Sequence, residues 1–169
     1  MPTSDQENKD IVVRWYNQVK PRSVLDIGAG NGTYSKLIAN KRGAHWTALE
    51  AWSPYIKRYR LHTKYNDIIV ADARYVDYSL IHSELTIAGD VLEHMTKSEA
   101  KRCIDRFKQH SRAVIISVPL LHLHQESYMG NWFEEHKDHW GYEEMCAYLG
   151  IGLTESLKGP TLGYFLWLK

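Results

Sequence analysis

The amino-acid sequence predicts an α/β domain built on a mostly parallel sheet, and three observations lead to this prediction. Short apolar stretches typical of buried parallel strands alternate along the chain with segments that carry apolar residues at helical spacing. A glycine-rich turn joins the first strand to the helix that follows it. The chain closes with two strand-like stretches around a Gly-Pro turn, which favours an antiparallel pair at one edge of the sheet.

The predicted strands are short, apolar and bounded by acids, glycine or proline. A first helix, capped by Ser4 or Asp5, ends before Pro21, and the first strand follows directly. Pro119 stops the fifth strand, because proline cannot donate a hydrogen bond within a sheet. The strands are predicted at residues 24–27, 45–50, 67–72, 85–89 and 113–118, and the final pair at 153–157 and 164–168.

The helices between these strands are predicted from caps and from apolar spacing. The Thr96-Lys97-Ser98-Glu99 run is a capping box, and the residues after it recur at i, i+3, i+4 and i+7 on one face. Pro54 is placed to open the helix after the second strand. Further helices are predicted at residues 33–39 and 142–149.

Length and composition bound the kinds of protein that this chain can be. At 169 residues it fits a single domain, residues 1–169, and it has the material for a buried core. Lys and Arg total 21 and Asp and Glu total 20, so the net charge of +1 gives no general attraction to nucleic acid or to an anionic membrane. Without a membrane-length apolar segment or a signal peptide, the sequence predicts a cytoplasmic protein. Cys103 and Cys146 are expected to be reduced core residues.

The glycine turn predicts a cofactor-binding site. Asp26 and the loop Gly28-Ala29-Gly30-Asn31-Gly32 lie between a strand and a helix, where backbone close to a ligand needs glycine. A dinucleotide fingerprint would place its third glycine one residue later, and the carboxylate of Asp26 would repel a pyrophosphate. The same carboxylate can help to hold an ammonium group, directly or through water, so the sequence disfavours a dinucleotide at this turn.

Acids also follow the second and third strands. Glu50 can accept the two hydroxyls of a ribose, and Ala51-Trp52 can cover an adenine face. Asp72 can accept the adenine amino group, and the backbone N–H of Ala73 can serve a ring nitrogen. The alternatives without a ligand-binding role are that Glu50 is a solvated loop acid and that Asp72 caps a helix.

After the fourth strand comes Asp90-Val91-Leu92-Glu93-His94, and with it the sequence resembles a known family. Together with the glycine motif, Glu50 and Asp72, this order and spacing are similar to those of small-molecule-type class I S-adenosylmethionine-dependent methyltransferases over residues 24–118. The resemblance implies a Rossmann-like fold, with seven strands in the order 3-2-1-4-5-7-6, strand 7 antiparallel and helices on both faces. It also implies S-adenosylmethionine as cofactor.

The resemblance assigns roles to the strand-end residues. The glycine motif with Asp26 would touch the methionine part of the cofactor, Glu50 the ribose, Asp72 the adenine, and Asp90 the region of the transferred methyl group. Two differences from the motifs of other methyltransferases narrow the class of methyl acceptor. The Asp90-Val91-Leu92-Glu93 run lacks the proline pair of adenine and glutamine N-methyltransferases, and neither cysteine suits cytosine C5 methylation. Residues 118–120 lack the Asp-Asn pair of magnesium-dependent catechol-type enzymes, so no metal is expected.

Residues 120–139 form a long connection that predicts a lid over the acceptor. Its aromatic residues can exclude water, and a neutral histidine near a hydroxyl or ammonium acceptor can act as a general base. The candidates for that base are His94, His124 and His136. A metal cluster is the alternative reading of the following residues: His122, His124, His136, His139, Glu134, Glu135 and Asp138.

The sequence therefore predicts transfer of a methyl group to oxygen or nitrogen of a small-molecule or glycan-like acceptor. A non-catalytic S-adenosylmethionine-binding subunit, a methyltransferase acting on RNA and a dehydrogenase-type nucleotide binder stay as alternatives. Lys57, Arg60 and Lys64 fall at i, i+3 and i+7 of the helix after Trp52, a basic stripe that either meets RNA or is an ordinary solvated face. The oligomeric state is left open.

Overall fold

The computed structural model describes residues 7–38, 43–121 and 124–169. Their strands all belong to one sheet. In chain order the strands are β1 (Ser23–Ile27), β2 (His45–Glu50), β3 (Asp67–Val70), β4 (Leu85–Gly89), β5 (Ala113–Pro119), β6 (Leu153–Lys158) and β7 (Leu162–Leu168). The α-helices are α1 (Asp10–Val19), α2 (Thr33–Leu37), α3 (Pro54–Arg58), α4 (Lys97–His110) and α5 (Tyr142–Leu149).

The strand order is β3-β2-β1-β4-β5-β7-β6, which confirms the predicted sheet. Strands β1 to β5 are mutually parallel, and β7 lies antiparallel between β5 and β6. The chain leaves β1 toward β2 on one side and returns to pair β4 on the other side of β1. This reversal opens a crevice beyond the carboxyl ends of β1 and β4, where open α/β sheets bind ligands.

Two apolar layers cover the sheet, one on each face. The first contains Trp15 and Tyr16 of α1 packed with Trp46 of β2, and all three side chains are fully buried. The second contains Cys103 and Phe107 of α4 together with residues of α5. Helices are needed on both faces because parallel strands are apolar on both sides.

The capping box opens α4 as predicted. The Thr96 hydroxyl accepts the backbone N–H of Glu99 at 3.4 Å, and the Glu99 carboxylate accepts the backbone N–H of Thr96 at 2.9 Å. The helix then buries Ala100, Cys103, Ile104 and Phe107 against the sheet. This firm start matters for the site, because the Asp90-to-His94 turn lies just before it.

The predicted basic stripe is wrong, because its helix is shorter than the sequence spacing suggested. Helix α3 ends at Arg58, and Arg60 takes a left-handed backbone conformation with φ of 53°. Lys64 instead folds back and donates hydrogen bonds to the carbonyl oxygens of Asn31, at 3.0 Å, and of Tyr59. The three cations therefore do not share one helical face.

Other boundaries moved by a few residues. Strand β3 ends at Val70 rather than at residue 72, β7 begins earlier at Leu162, and α2 ends at Leu37. Ser4 and Asp5, predicted as caps, lie outside the described residues, as does the end of the helix predicted to reach residue 39. Among the described residues, none of the helices combines the length and apolar character that crossing a bilayer requires.

Removing the cap of α4 should lower stability measurably. We expect Thr96→Ala to reduce the free energy of unfolding by about 1 kcal/mol, because the N–H of Glu99 loses its acceptor. Urea denaturation followed by circular dichroism measures this change. The control is Gln109→Ala, which changes an exposed residue of the same helix and should stay within about 0.5 kcal/mol of the parent. Equal midpoints for Thr96→Ala and the parent would contradict the capping role.

Candidate active site

A cavity of about 250 Å³ lies in the crevice at the carboxyl ends of β1, β2 and β4. Its walls come from the glycine turn after β1, the turns after β2, β3 and β4, and the connection after β5. The structure brings most of the sequence-predicted residues together there. Those that line the cavity are Asp26, Gly28, Gly30, Glu50, Ala51, Asp72, Ala73, Asp90, His94 and His136.

Three predicted residues do not line the cavity. The Asn31 side chain accepts hydrogen bonds from Thr33, at 2.9 Å, and from Lys36, at 3.1 Å. Trp52 packs against Trp132 with ring centroids 5.2 Å apart. The His124 side chain is 81% exposed and lies beside Glu126. Local polar and aromatic partners therefore hold these side chains away from the cavity. His122, a member of the alternative metal cluster, lies outside the described residues.

The glycine turn adopts a conformation that only glycine tolerates without strain. Gly28, Gly30 and Gly32 have φ of 63°, 52° and 78°. At Gly28 a Cβ atom would lie 2.7 Å from Cγ2 of Val91, which belongs to the turn after β4. Glycine therefore lets the turns after β1 and β4 approach each other and leaves backbone exposed to the cavity.

Glu50 holds the glycine turn in place. One carboxylate oxygen accepts the backbone N–H of Gly30 at 2.8 Å, and the other accepts the N–H of Trp52 at 2.8 Å. Burial raises the pKa of this carboxyl, although the two backbone donors act in the opposite direction. Each carboxylate oxygen has a second lone pair, so Glu50 can still accept hydroxyl groups of a ligand.

Asp26 lies at the floor of the cavity and is almost fully buried. Its carboxylate accepts the hydroxyl of Tyr65 at 2.5 Å. Burial, followed by the nearby charge of Asp26, raises the pKa of Tyr65, so the phenol stays a donor. Asp26 thus brings a fixed negative charge to the glycine turn.

Arg74 holds the carboxylate of Asp72 from the side. The guanidinium donates from Nε to both carboxylate oxygens at 3.0 Å and from Nη2 to one of them at 2.6 Å. Burial by itself raises the pKa of Asp72, but the hydrogen bonds and charge of Arg74 outweigh burial and hold this pKa below its usual range. The arginine also reaches Glu99 of the capping box, at 3.4 Å.

A buried polar network surrounds Asp90. Its carboxylate accepts the hydroxyl of Ser117 at 2.7 Å and lies 3.4 Å from the ammonium group of Lys9, whose side chain is 2% exposed. The hydroxyl of Tyr34 lies 3.0 Å from that of Ser117 and 3.5 Å from Lys9. At Gly89 a Cβ would lie 2.1 Å from the Tyr34 ring, so glycine makes room for this network.

A further polar part of the cavity wall is formed by Glu93, His94 and His136. The imidazole rings of His94 and His136 pack edge to face with centroids 5.0 Å apart. Burial, the largest influence, lowers the pKa of His94 to about 4, and the neighbouring His136 adds to this shift. His94 is therefore neutral near pH 7. Burial and the charge of Asp90 raise the pKa of Glu93 well above its usual range.

The 120–139 connection reaches the cavity from the side of β2. Gln125, Asn131, Phe133 and Glu134 line the cavity with His136. The hydroxyl of Tyr55 donates to the Glu134 carboxylate at 3.1 Å, and the charge of Glu134 also acts on Glu50. The connection is thus close to both the Glu50 end and the His94 end of the cavity.

Comparison with known proteins agrees with this geometry. The family model described as a methyltransferase domain matches residues 25–113, more than half of the chain. The chain belongs to this methyltransferase family. It is a class I S-adenosylmethionine-dependent methyltransferase, and S-adenosylmethionine is its cofactor, as the sequence predicted. None of the curated proteins compared with the chain matches it.

Solved structures with the same fold are similar in shape but distant in sequence. The methyltransferase domain of bacterial CtHen1 aligns with a TM-score of 0.71 at 15% identity, covering 95% of this chain and 96% of that one. Protein PH0226 from Pyrococcus horikoshii OT3 aligns with a TM-score of 0.71 at 17% sequence identity, covering 99% of this chain and 92% of that one. The N-terminal domain of EvdMO1 was solved in the presence of SAH and D-fucose. It aligns with a TM-score of 0.69 at 14% sequence identity, covering 98% of this chain and 85% of that one.

Several residues that line the cavity, or that hold a residue of its wall, escaped the sequence prediction. Lys9 and Ser117 gave no signal, because their contacts with Asp90 join parts of the chain that are far apart. Tyr34 lies within the helix predicted at residues 33–39, and nothing in the sequence indicated that its side chain lines the cavity. Glu134 was noted only as part of the alternative metal cluster. Glu93 was visible within the Asp90-to-His94 motif, but nothing in the sequence indicated that its side chain is buried in the cavity wall.

The ion pair of Asp72 with Arg74 should make a contribution to the free energy of unfolding that depends on pH. Because the folded state lowers the pKa of Asp72, the contribution is complete well above pH 3.8 and disappears as the pH falls through the folded-state value. We expect Asp72→Asn to be less stable than the parent at pH 7, with a gap that narrows toward pH 3. Urea midpoints at several pH values measure the gap. A constant gap would contradict the assigned pKa shift.

Proposed function

We propose that this methyltransferase transfers a methyl group to an oxygen or nitrogen of a small-molecule or glycan-like acceptor. The observation that carries the proposal is the pairing, in one cavity, of the cradle at Gly28, Glu50 and Asp72 with the neutral imidazole of His94. EvdMO1, a protein of the same fold, was solved with D-fucose, which supports a hydroxylated acceptor. Oxygen fits this wall best, because a neutral imidazole accepts a hydrogen bond from a hydroxyl group.

The cradle fits the cofactor in its charges and shape. When bound, S-adenosylmethionine supplies an electrophilic methyl group on a sulfonium centre. In the proposal, Asp26 with the backbone of Gly28 and Gly30 holds the charged methionine part. Glu50 holds the ribose hydroxyls, Ala51 covers the adenine face, and the Asp72-Ala73 pair holds the adenine edge. Asp90 lies between the cradle and the imidazole wall, where the reacting groups would meet.

The protein's part in the reaction is mainly positioning. In the proposed reaction the acceptor oxygen would form a bond to the methyl carbon as the carbon–sulfur bond breaks. The electron pair of that bond would go to sulfur, and the proton of the acceptor would pass to the neutral His94 imidazole or to solvent water. Holding these atoms in line is worth about 7–11 kcal/mol in favourable cases. His94 and His136 can accept the hydrogen bond that orients the acceptor hydroxyl, whereas His124 is too exposed to do so.

We also propose that residues 120–139 cover the acceptor. Backbone hydrogen bonds tie this lid to the acceptor side, since the N–H groups of Lys137 and Asp138 donate to the Glu93 carbonyl oxygen at 2.7 and 3.3 Å. Because Glu134 also lies near Glu50, the lid is expected to affect cofactor binding as well as acceptor choice. The lid that the sequence predicts over the acceptor is thus expected to have a second role at the cofactor.

RNA as acceptor loses its main support, because the basic stripe of Lys57, Arg60 and Lys64 does not exist as one face. A non-catalytic cofactor-binding subunit is an outcome of the test below. Small hydroxylated molecules therefore stay the preferred acceptors. The cytoplasmic location stays a prediction from the sequence.

Ligand titration and transfer assays test the proposed function. We expect calorimetry to detect SAH and S-adenosylmethionine but not NAD, because Asp26 opposes a pyrophosphate. Radiolabelled methyl transfer should then appear on members of a panel of sugars, phenols and amines, and not on RNA oligonucleotides. Labelling of RNA alone would overturn the acceptor class. Tight SAH binding without transfer to any panel member would favour the non-catalytic subunit.

Changing Glu50 should weaken cofactor binding while the fold survives. In Glu50→Gln the side chain is neutral and retains one acceptor oxygen, so one of the N–H groups of Gly30 and Trp52 loses its acceptor. The other N–H group and the ribose hydroxyls lose the charge of their partner. We expect SAH affinity to fall by about 10- to 100-fold, which corresponds to about 1.5–3 kcal/mol. The matched control is Glu143→Gln, at an exposed ion pair with Lys158. An unchanged dissociation constant with a normal melting curve would remove Glu50 from the site.

A further inference from the structure

Three potential metal ligands meet at the acceptor side of the cavity. Glu93, His94 and His136 each offer one ligand atom, and these three atoms lie within 4.8 Å of one another. Two of them belong to the turn that follows β4, and the third comes from the lid. Tertiary structure thus joins parts of the chain that are about forty residues apart, as protein metal sites often do.

The Glu93 carboxylate is the least satisfied member of this group. The residue is 4% exposed, and its Oε2 atom has no hydrogen-bond partner among the described residues. An unpaired carboxylate oxygen away from water is costly, so a buried one calls for a partner. Backbone N–H groups of Lys137 and Asp138 hold the Glu93 carbonyl oxygen, at 2.7 and 3.3 Å, and fix the residue in the cavity wall. The carboxylate is therefore held in the cavity wall with one oxygen, Oε2, that has no hydrogen-bond donor among the described residues.

His94 is oriented in the way that metal-binding histidines usually are. Its Nδ1 atom lies 3.2 Å from the backbone carbonyl oxygen of Glu135. A carbonyl oxygen only accepts, so Nδ1 carries the hydrogen and Nε2 keeps its lone pair. Such a bond from the second ring nitrogen fixes both tautomer and ring direction.

The charges around the group favour a cation. The Asp90 and Glu134 carboxylates both act electrostatically on Glu93, and Lys9 is the cation that opposes them. Lys9 is already engaged with Asp90 and Tyr34. Two carboxylates, those of Asp90 and Glu134, thus act on Glu93, against one cation, Lys9.

We propose that Glu93, His94 and His136 bind a divalent first-row transition-metal ion. Two imidazole nitrogens and one carboxylate oxygen suit Mn²⁺, Fe²⁺, Co²⁺ or Zn²⁺ better than Mg²⁺, which prefers oxygen ligands. Three protein ligands leave coordination positions open, as in catalytic rather than structural metal sites. This inference replaces the expectation from sequence that no metal is used.

The inference rests on the proposed function and sharpens it. A metal at this wall would bind the acceptor hydroxyl and lower its pKa, so that the proton leaves to solvent water before the oxygen attacks the methyl carbon. The two histidines then act as ligands rather than as general bases. Acceptors with a second oxygen next to the reacting hydroxyl, as in sugars and catechols, would bind such an ion with two atoms.

The site can be tested with the metal ion alone. We expect chelator-treated protein to bind one Co²⁺ per chain in calorimetry and to develop visible absorption bands from nitrogen coordination. Mg²⁺ should bind at least about 10-fold more weakly, because imidazole is a poor ligand for it. Absence of Co²⁺ binding to the folded parent protein would overturn the inference whatever the variants do.

Variants locate the site. Glu93→Gln and His136→Ala should each lower Co²⁺ affinity by at least about 10-fold, which is the lower limit for loss of a supporting group. The control is His124→Ala, on the same lid but 81% exposed, which should leave Co²⁺ affinity unchanged. Circular dichroism and SAH affinity verify that each variant is folded. Parent-like Co²⁺ affinity in both folded ligand variants would place the ion elsewhere and refute the assignment.

Failure of this inference and failure of the proposed function can be told apart. Methyl transfer that persists in excess chelator, by a protein that binds no Co²⁺, would sink the metal site and leave the proposed function intact. Stoichiometric Co²⁺ binding that depends on Glu93 and His136, without transfer to any oxygen or nitrogen acceptor, would support the metal site and overturn the proposed function.

Discussion

The site depends above all on a carboxylate at the end of one strand that holds the turn at the end of its neighbour. Glu50, after β2, accepts the N–H of Gly30 in the turn after β1, and the same residue accepts the N–H of Trp52 in its own turn. Its carboxylate is buried, so these bonds are shielded from water and offset part of the cost of burying the charge. The glycine turn therefore keeps one conformation while its backbone faces the cavity. A residue expected to bind ribose thus also builds the cradle around it.

Buried charge elsewhere in the cavity follows the same logic. Lys9, Asp90, Ser117 and Tyr34 form a connected network in which each group has a partner. Such a network is stable only when complete, because a lone buried charge is costly. Lys9 ties the segment before α1 to the turn after β4, so the start of the described chain helps to fix the turn where we propose that the reacting groups meet. Glu93 is the exception, since its Oε2 atom has no hydrogen-bond partner among the described residues, and this is one reason why we infer a metal ion there.

Much of the cradle was predictable because its residues lie at strand ends that short apolar stretches reveal. Asp26, Glu50, Asp72 and Asp90 each follow or end such a stretch, and parallel strands bring their carboxyl ends to one edge. Predictions failed where a side chain's direction depends on contacts that are distant in sequence. Trp52 packs on Trp132 of the lid instead of lining the cavity, and Lys64 folds back on Asn31 instead of extending a helix. Helical spacing alone gave no warning that the backbone of Arg60 is left-handed.

The sequence by itself determined the alternation of strands and helices, the glycine turn and the family, because periodicity, caps and motif spacing are local properties of the chain. It also determined which acids stand at the carboxyl edge of the sheet. Only the tertiary structure decided that His136 of the lid meets Glu93 and His94, that Lys9 reaches Asp90, and that His124 stays exposed. These contacts depend on how a long connection and a distant segment pack against the sheet, and no local pattern encodes that packing.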